Sequence, residues 1–257
     1  MTGPYFLDAD PWTPFPPVSE ALDEHHGLLA ITPDLHPARI LNAYRAGIFP
    51  WYNDDEPIAW YSPPVRMMIE TSANPLGRRF RKSLQTSDWV VTADRDFTAT
   101  MRNCAEAVRP GQSGGTWINA DMRAAYEVLR AEGIAHSVEV RDAGGTLVGG
   151  LYGLFVRGIF CGDSMFSAES GASKVAFAAL CRFLSEQGVK WIDCQLPNDY
   201  LRSLGGVERS RAEFLAILLG SGDSDLGHGS WDAAFGEVPA ATFRYCVMRV
   251  GAGQNMR

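Results

Sequence analysis

The chain has 257 residues and a mass of 28.1 kDa, enough for one large domain or two unequal ones. Hydrophobic residues make up 46% and charged residues 21%, which argues against a disordered chain and against a small disulfide-stabilised fold. Because the formal net charge is −7 at pH 7, the overall field opposes nucleic acids, and any RNA binding must depend on local positive charge.

No segment of the chain has the features of a secretory leader or a membrane anchor. The first residues contain no basic region followed by an apolar run, and nowhere do about 18 apolar residues follow one another. The cysteines form no CxxC pair, which is more typical of reduced thiols that fill a core than of disulfides or zinc sites. They are Cys104, Cys161, Cys181, Cys194 and Cys246. We therefore expect a cytoplasmic protein that does not enter a membrane.

The N-terminal part contains one clear helical pattern. Ile40, Leu41 and Tyr44 recur at three- and four-residue spacing within residues 37–45, and Gly47 is suited to end that helix. Residues 51–64 are rich in prolines and turn formers, which predicts a linker. We place a domain boundary near residue 68, between a small N-terminal domain (1–68) and a larger C-terminal domain (69–257).

A basic cluster follows this boundary. Four cations surround Phe80, namely Arg78, Arg79, Arg81 and Lys82. Such a cluster is either the solvated face of a helix or a surface that contacts phosphates.

The larger part predicts a mixed α/β sheet. Asn119 is placed to cap a helix with Met122, Tyr126 and Leu129 on one face. Alternation of polar and apolar residues, and apolar segments that contain glycines, then predict strands over 137–140, 147–155 and 159–166. An apolar face of helical periodicity predicts a helix over 173–187. A short buried strand over 189–196 ends in Asp193 and Gln195, which indicates a polar site at a strand end.

The usual catalytic motifs are missing from the sequence. There is no HExxH, GxSxG, GxxxxGK[ST] or strand–GxGxxG–helix unit, so metal and nucleoside-triphosphate chemistry lose support. Trp51 and Trp117 follow turn residues, where a tryptophan either fills a core or stacks on an unpaired base. Glycine, aromatic and polar residues also combine in four clusters, at 47–51, 115–118, 160–167 and 192–198.

In combination, these motifs resemble those of the bacterial leucyl/phenylalanyl-tRNA–protein transferases, from about Phe15 to Phe214. The segments that carry the resemblance are GLLA (27–30), AYRAGIFPW (43–51), SP (62–63), TWI (116–118), AHSVE (135–139), LVGG (147–150), SMFS (164–167), ASK (172–174), IDCQ (192–195), Asn198 and SLG (203–205).

The resemblance implies a small N-terminal domain followed by an acyltransferase domain of the GNAT-like fold. It also implies a monomeric cytoplasmic enzyme without metal or cofactor. Such an enzyme transfers leucine or phenylalanine, with methionine as a further candidate, from aminoacyl-tRNA to proteins that begin with arginine or lysine. The implied roles are a proton relay at Asp193 and Gln195, and binding of the tRNA 3′-adenosine at Trp51 and Trp117. The implied amino-acid pocket comprises Leu151, Phe160, Met165, Phe177, Leu180 and Ile192.

The resemblance implies an acceptor site formed by Asp163, Ser167 and Asn198. The sequence departs from the family pattern at and near this site. The glutamate expected before Ser164 is Asp163, one methylene shorter. Gly171 stands where asparagine is expected and Tyr200 where histidine is expected. These changes leave open a specialised paralogue that transfers the amino acid to a different acceptor amine.

The implied chemistry suits these residues. An aminoacyl ester is already activated. Because an α-amine has a pKa of about 7.7–8.0, a useful fraction is neutral near pH 7, and only the removal of its second proton during the reaction needs a catalytic group. We expect the Gln195 carbonyl to accept a hydrogen bond from the amine, and Asp193 to orient the amide and offset positive charge.

Two other functions remain open. A coenzyme-A-dependent acyltransferase would need a basic, glycine-paired loop before its helix, which residues 167–174 do not provide. A non-catalytic RNA-binding module would use the tryptophans and the basic cluster, but would leave Asp193 and Gln195 without a purpose.

Overall fold

The computed structural model describes residues 3–53, 56–73, 75–107, 116–222, 226 and 228–245. Cys246, expected in the core, lies outside them. The strands in these ranges are β1 (Tyr5–Phe6), β2 (Leu28–Thr32), β3 (Phe49–Pro50), β4 (Ile58–Tyr61), β5 (Val65–Glu70), β6 (Val90–Ala93), β7 (Ala135–Arg141), β8 (Leu147–Val156), β9 (Ile159–Ser167), β10 (Trp191–Asp193), β11 (Val207–Ser210) and β12 (Val238–Pro239). The α-helices are α1 (Pro37–Arg45), α2 (Arg78–Ser83), α3 (Phe97–Glu106), α4 (Ala120–Ala131), α5 (Ala172–Glu186), α6 (Asp199–Ser203), α7 (Arg211–Gly220) and α8 (Asp232–Phe235).

Within the described ranges the strands form two mixed sheets. The smaller sheet has the order β1-β2-β4-β3, and the larger has the order β11-β5-β10-β9-β8-β7-β6-β12. In the larger sheet β10 runs parallel to β9, and every other neighbouring pair is antiparallel. The predicted mixed α/β class is therefore confirmed.

The N-terminal part confirms one prediction and corrects another. Helix α1 spans the predicted residues, begins at the capping side chain of His36 and is followed by Gly47 at φ 77°. Residues 51–64, however, are not only a linker, because strand β4 lies inside them and pairs with β2 and β3. The prolines at either end favour a linker in the sequence, whereas the strand is formed by pairing with a distant segment.

The larger sheet separates two hydrophobic cores. One face packs against α5 and the C-terminal segment, and the other packs against α1, α3 and α4. Leu151 and Tyr152, adjacent on β8, belong to opposite cores, as the two-residue period of a strand requires. The four described cysteines are buried as predicted, at positions 104, 161, 181 and 194.

The predicted strands and helices of the larger part are confirmed with small shifts of their ends. Helix α4 begins at Asn119, whose side chain accepts from the Met122 amide (2.9 Å). Strand β10 is shorter than the predicted 189–196. After Asp193 the chain separates from β9, although Cys194 and Gln195 still form backbone hydrogen bonds with Met67 of β5. This early departure produces the opening described below.

The C-terminal segment closes one end of the sheet. The Trp231 ring stacks on buried His136 at 3.8 Å, and the Trp231 amide donates to Asp94 Oδ2 (2.7 Å). The same carboxylate oxygen lies 2.8 Å from His136 Nδ1. This segment is thus bound to the core by hydrogen bonds as well as by packing. Among the described residues, no helix is long and apolar enough to cross a membrane.

Candidate active site

A cleft of about 1550 Å³ opens where β9 and β10 separate. The two strands pair only at Phe160 with Ile192 and at Cys161 with Asp193. Beyond these pairs, residues 162–168 of β9 and its continuation line one side, and residues 194–196 and 198–201 line the other. The cleft exceeds the roughly 300–1,000 Å³ typical of small-molecule pockets, so it has room for more than one chemical group.

A β-bulge presents Asp163 to this cleft. Tyr152 of β8 pairs with Ser164 while Gly153 pairs with Gly162, so Asp163 is the extra residue. A bulge changes which face the following side chains occupy. Asp163 therefore points toward α1 and α4, whereas Met165 packs with the core on the side of α5.

Two tyrosines from different helices hold the Asp163 carboxylate. Tyr44 Oη of α1 donates to Oδ1 (2.7 Å), and Tyr126 Oη of α4 donates to Oδ2 (2.9 Å). Burial raises the pKa of both tyrosines, so both remain protonated donors. Burial also raises the pKa of Asp163 from 3.8 to about 7, although the two tyrosine hydrogen bonds lower it. The carboxylate still faces the cleft and is partly exposed there.

Asp193 is held in a different way and does not line the cleft. It is fully buried, and Arg66 donates to it from Nε (2.9 Å to Oδ1) and from Nη2 (2.7 Å to Oδ2). Arg66 is itself buried between the rings of Phe49 and Phe214, at 4.8 and 4.3 Å from their centroids. The charge of Asp193 is therefore already offset by a bidentate partner.

The contacts of Asp193 correct one prediction. Asp193 was expected to orient the side-chain amide of Gln195, but its Oδ1 instead accepts from the Gln195 backbone N–H (3.0 Å). Gln195 has a φ of 56°, a left-handed conformation that is costly for a residue with a side chain. Asp193 thus stabilises a strained backbone, and through it fixes where the Gln195 side chain begins.

The Gln195 amide is oriented by two carbonyl groups. With Nε2 directed at them, it donates to Gly162 O (3.0 Å) and Cys194 O (3.2 Å). The reverse orientation brings Nε2 to 3.4 Å from Asp163 Oδ1 but places Oε1 against two acceptors, so we adopt the first. Gln195 Oε1 then faces Asp163, and two acceptor oxygens lie about 3.4 Å apart at the buried end of the cleft.

Most of the predicted apolar pocket is assembled in the cleft. The lining residues from that prediction are Leu151, Phe160, Met165, Phe177 and Leu180. Ile192 is the exception, because it does not line the cleft and packs in the core on the side of α5.

Both predicted tryptophans border the same cleft. Trp51 is 44% exposed and packs edge-on against Tyr61 at 5.9 Å, while Trp117 is partly buried. An exposed ring with one supported edge is available for stacking on a planar group.

The remaining predicted acceptor residues also line the cleft, and each has a structural contact. Asn198 caps α6 by accepting from the Leu201 amide (2.8 Å). Ser167 Oγ accepts from the Ser173 amide (2.9 Å) and donates to Ser173 Oγ, which lies 3.2 Å from Tyr200 Oη. Three hydroxyl groups therefore follow one another along the wall beside α5.

The basic cluster forms α2, outside the cleft lining. Arg78, Arg79 and Lys82 are exposed and Arg81 is partly buried. Phe80 packs against Gly171, where an added Cβ would lie 2.4 Å from the ring. Since Gly171 precedes α5, this contact places the basic helix next to the loop that carries Ser167 into the cleft wall.

Sequence reasoning missed three residues of this site. Tyr44 and Tyr126 were taken as apolar positions of helices, although each bonds to Asp163. Arg66 was not considered, yet a single cation within the apolar strand Val65–Glu70 was a signal of a buried partner. Within the part of the chain that the structure describes, no cluster of three histidine, cysteine, aspartate or glutamate side chains is arranged to hold a metal.

Known proteins resemble this chain over most of its length. The family model described as leucyl/phenylalanyl-tRNA protein transferase matches residues 68–219, and the model of that family's N-terminal domain matches residues 33–64. A solved structure, that of L-PGS from Bacillus licheniformis, aligns with 68% of this chain and 56% of its own at 12% identity. Its TM-score of 0.37 is too low to assign the fold.

Curated relatives carry the same family name. The leucyl/phenylalanyl-tRNA–protein transferase of Xanthomonas axonopodis pv. citri (strain 306) is 47% identical over 93% of this chain and 95% of its own. That of Xylella fastidiosa (strain M23) is 47% identical over 91% and 96%, and that of Xanthomonas campestris pv. campestris (strain 8004) is 46% identical over 93% and 96%. The chain therefore belongs to the leucyl/phenylalanyl-tRNA–protein transferase family.

Proposed function

We propose that this protein transfers leucine or phenylalanine from aminoacyl-tRNA to the N-terminal amine of proteins that begin with arginine or lysine. The observation that carries the proposal is one cleft with three kinds of surface. Two tryptophan rings border it, an apolar pocket lies within it, and two acceptor oxygens face each other at its buried end. These surfaces match a nucleobase, an apolar side chain and an amine, the three parts of this reaction.

Each part of the aminoacyl-tRNA has a proposed position. The 3′-adenosine stacks on Trp51 and Trp117, and the esterified side chain enters the pocket formed by Leu151, Phe177 and their neighbours. The exposed cations of α2, Arg78, Arg79 and Lys82 with Arg81 beside them, contact phosphates farther along the tRNA. The apolar pocket favours a leucine or phenylalanine side chain, with methionine as a further candidate, since such pockets discriminate by only about 1–3 kcal/mol per methylene.

The acceptor N-terminus occupies the polar side of the cleft, near Asp163, Ser167 and Asn198. Positioning accounts for most of the rate enhancement. When the cleft holds the ester and the amine in contact, a bimolecular reaction becomes effectively unimolecular. Gln195 touches the amine, and Asp193 acts as a positioning residue through the Gln195 backbone.

Several finer expectations accompany this proposal. We expect the domain of residues 69–257 to have the GNAT-like acyltransferase fold, preceded by the small domain of residues 1–68. We also expect a cytoplasmic monomer that needs no metal or cofactor, because the ester supplies the free energy for amide formation.

The direct test is to incubate the purified protein with radiolabelled leucyl-tRNA, phenylalanyl-tRNA or acetyl-CoA. Peptides that begin with arginine, lysine or alanine serve as acceptors, and label in the peptide is measured. Transfer from leucyl- or phenylalanyl-tRNA to the arginine and lysine peptides, but not to the alanine peptide, is expected. Label from acetyl-CoA alone would overturn the proposal in favour of a coenzyme-A-dependent enzyme.

A third outcome concerns the acceptor. Protein-dependent loss of amino acid from the tRNA, without labelled peptide, would indicate a different acceptor amine. The Asp163→Glu variant, which restores the carboxylate length of the family pattern, would then be tested with the same peptides. Gain of peptide labelling by this variant would assign the change of acceptor to Asp163.

A further inference from the structure

Two acceptor oxygens from different strands face each other at the buried end of the cleft. Gln195 Oε1 faces Asp163 Oδ1 at about 3.4 Å, and both accept hydrogen bonds. The Gln195 nitrogen is turned away toward two backbone carbonyls. Two acceptors at this distance are compatible only if a proton lies between them or if a donor from the cleft bridges them.

An amine or a proton on the carboxyl can join these two oxygens by hydrogen bonds. An α-amine entering the cleft has N–H bonds for both oxygens. In its absence, a proton on Asp163 makes the hydrogen bond to Gln195 Oε1. When the amine is bound, a proton that passes from its nitrogen to Asp163 gives the same protonated carboxyl.

The surroundings of Asp163 suit this exchange. The titratable and charged groups around it are Tyr44 of α1, Tyr126 of α4, Cys161 of its own strand, Asp193 of β10 and Arg66 of β5. The last two form a closed ion pair, and burial raises the pKa of both tyrosines and of the thiol. Asp163 is thus the group here whose pKa, about 7, lies near the about 7.7–8.0 of an α-amine.

Asp193 is poorly placed for the same task. It is fully buried, it does not line the cleft, and both of its oxygens accept from Arg66. The other carboxylates among the described lining residues, Glu106 and Asp199, are exposed to solvent. Neither has the paired tyrosines that fix Asp163.

We infer that Asp163 is the catalytic base that accepts the proton of the attacking amine, with Gln195 Oε1 holding the amine and Tyr44 and Tyr126 as positioning residues. The inference rests on the proposed transfer reaction. The amine nitrogen forms a bond to the ester carbonyl carbon, and the bond from that carbon to the ribose oxygen breaks. One N–H proton passes to Asp163, the ribose oxygen takes up one proton, and Asp163 then releases its own, so protons balance.

The test measures kcat and KM for transfer from leucyl-tRNA to an arginine-started peptide, from about pH 6 to about pH 8.5, with spontaneous ester hydrolysis subtracted. Asp163→Asn is expected to lower kcat by about 10²–10⁴-fold, the usual contribution of a general base. It should also remove the part of the kcat profile that titrates near 7, leaving the titration of the amine alone. Asp163→Glu, which restores a carboxylate, should recover most of the lost kcat.

Variants of the two tyrosines test whether the pH profile of kcat reports the titration of Asp163 and not a loss of folded protein. Their hydrogen bonds lower the pKa of Asp163, so Tyr44→Phe or Tyr126→Phe should move the acidic limb of the kcat profile to higher pH. Tyr5→Phe, an exposed tyrosine far from the cleft lining, is the matched control and should leave the profile unchanged.

The possible failures are distinguishable. If the wild-type protein transfers no amino acid to peptide, the proposed function itself is wrong. If the wild type transfers normally but Asp163→Asn raises only KM, with kcat and its pH profile unchanged, Asp163 merely binds the acceptor and the inference is overturned. An unchanged acidic limb in both tyrosine variants would overturn it as well.

Discussion

Two carboxylates lie on the neighbouring strands, Asp163 within β9 and Asp193 at the end of β10, and each belongs to a different region of the site. Around Asp193, the buried side chain of Arg66 donates to both oxygens, and Asp193 does not line the cleft. Around Asp163 neutral tyrosines donate the hydrogen bonds and one side faces the cleft. A bidentate ion pair offsets the charge of a buried carboxylate, whereas neutral donors leave that charge without a counter-ion. We therefore expect changes at the first region to affect stability and changes at the second to affect binding and turnover.

The largest expected effect tests the buried region. Arg66→Met leaves Asp193 as an uncompensated buried charge and should lower the free energy of unfolding by about 3–5 kcal/mol. Asp163→Asn, the matched change in the cleft, should lower it by no more than about 1 kcal/mol near neutral pH. Urea denaturation of both variants provides the measurement, and similar losses in the two would remove the contrast between the regions.

A second prediction concerns the cleft alone. Trp51→Ala and Trp117→Ala should each weaken binding of aminoacyl-tRNA by about 1–3 kcal/mol through lost stacking. Trp12→Ala, at an exposed tryptophan outside this cleft, should bind as the wild type does. Filter binding gives the affinities. Loss of affinity only in variants that also unfold at lower temperature would instead assign the tryptophans to the core.

The third prediction concerns the contribution of the basic helix α2 to tRNA binding. Replacing Arg78, Arg79 and Lys82 with glutamine should reduce the slope of log affinity against log salt concentration by about 2–3, near 0.7–0.9 for each phosphate contact. A control triple variant uses exposed cations that do not line the cleft, at Arg123, Arg130 and Lys190. Equal slope changes in both triple variants would show that only net charge matters.

The last prediction concerns the pH dependence of stability. Because burial raises the pKa of Asp163 from 3.8 to about 7, the folded protein holds a proton between these values that the unfolded chain has released. The contribution of Asp163 to the free energy of unfolding therefore falls as pH rises from about 4 to about 7, and is constant above. The stability of wild type relative to Asp163→Asn should decline over that window. A difference that is flat or rises with pH would contradict the assigned pKa.

Local patterns in the sequence predicted much of the fold and of the cleft. The strands around residues 137–166, the capped helix at Asn119 and the polar strand end at Asp193 all follow from short-range signals. Most of the apolar pocket that the family resemblance implies is also assembled, from residues of β8, β9 and α5.

The partners of the two carboxylates could not be predicted in this way. Arg66 is 127 residues from Asp193, and Tyr44 is 119 residues from Asp163. Such contacts depend on strand pairing and helix packing, and neither produces a pattern of neighbouring residues in the sequence. The β-bulge at Asp163 is also set by the pairing register with β8, so a sequence reading could not determine which face Met165 would occupy.

The attachment of Trp231 to His136 and Asp94 has a consequence for how the protein is produced. The family model ends at residue 219, so a truncated protein could be designed to end there. Such a chain would lose the indole that covers His136 and the amide that bonds Asp94, exposing a polar cluster and the apolar surface around Phe183. The smallest piece that folds and stays soluble in the test tube is thus expected to extend through Phe243, which is itself buried in the core.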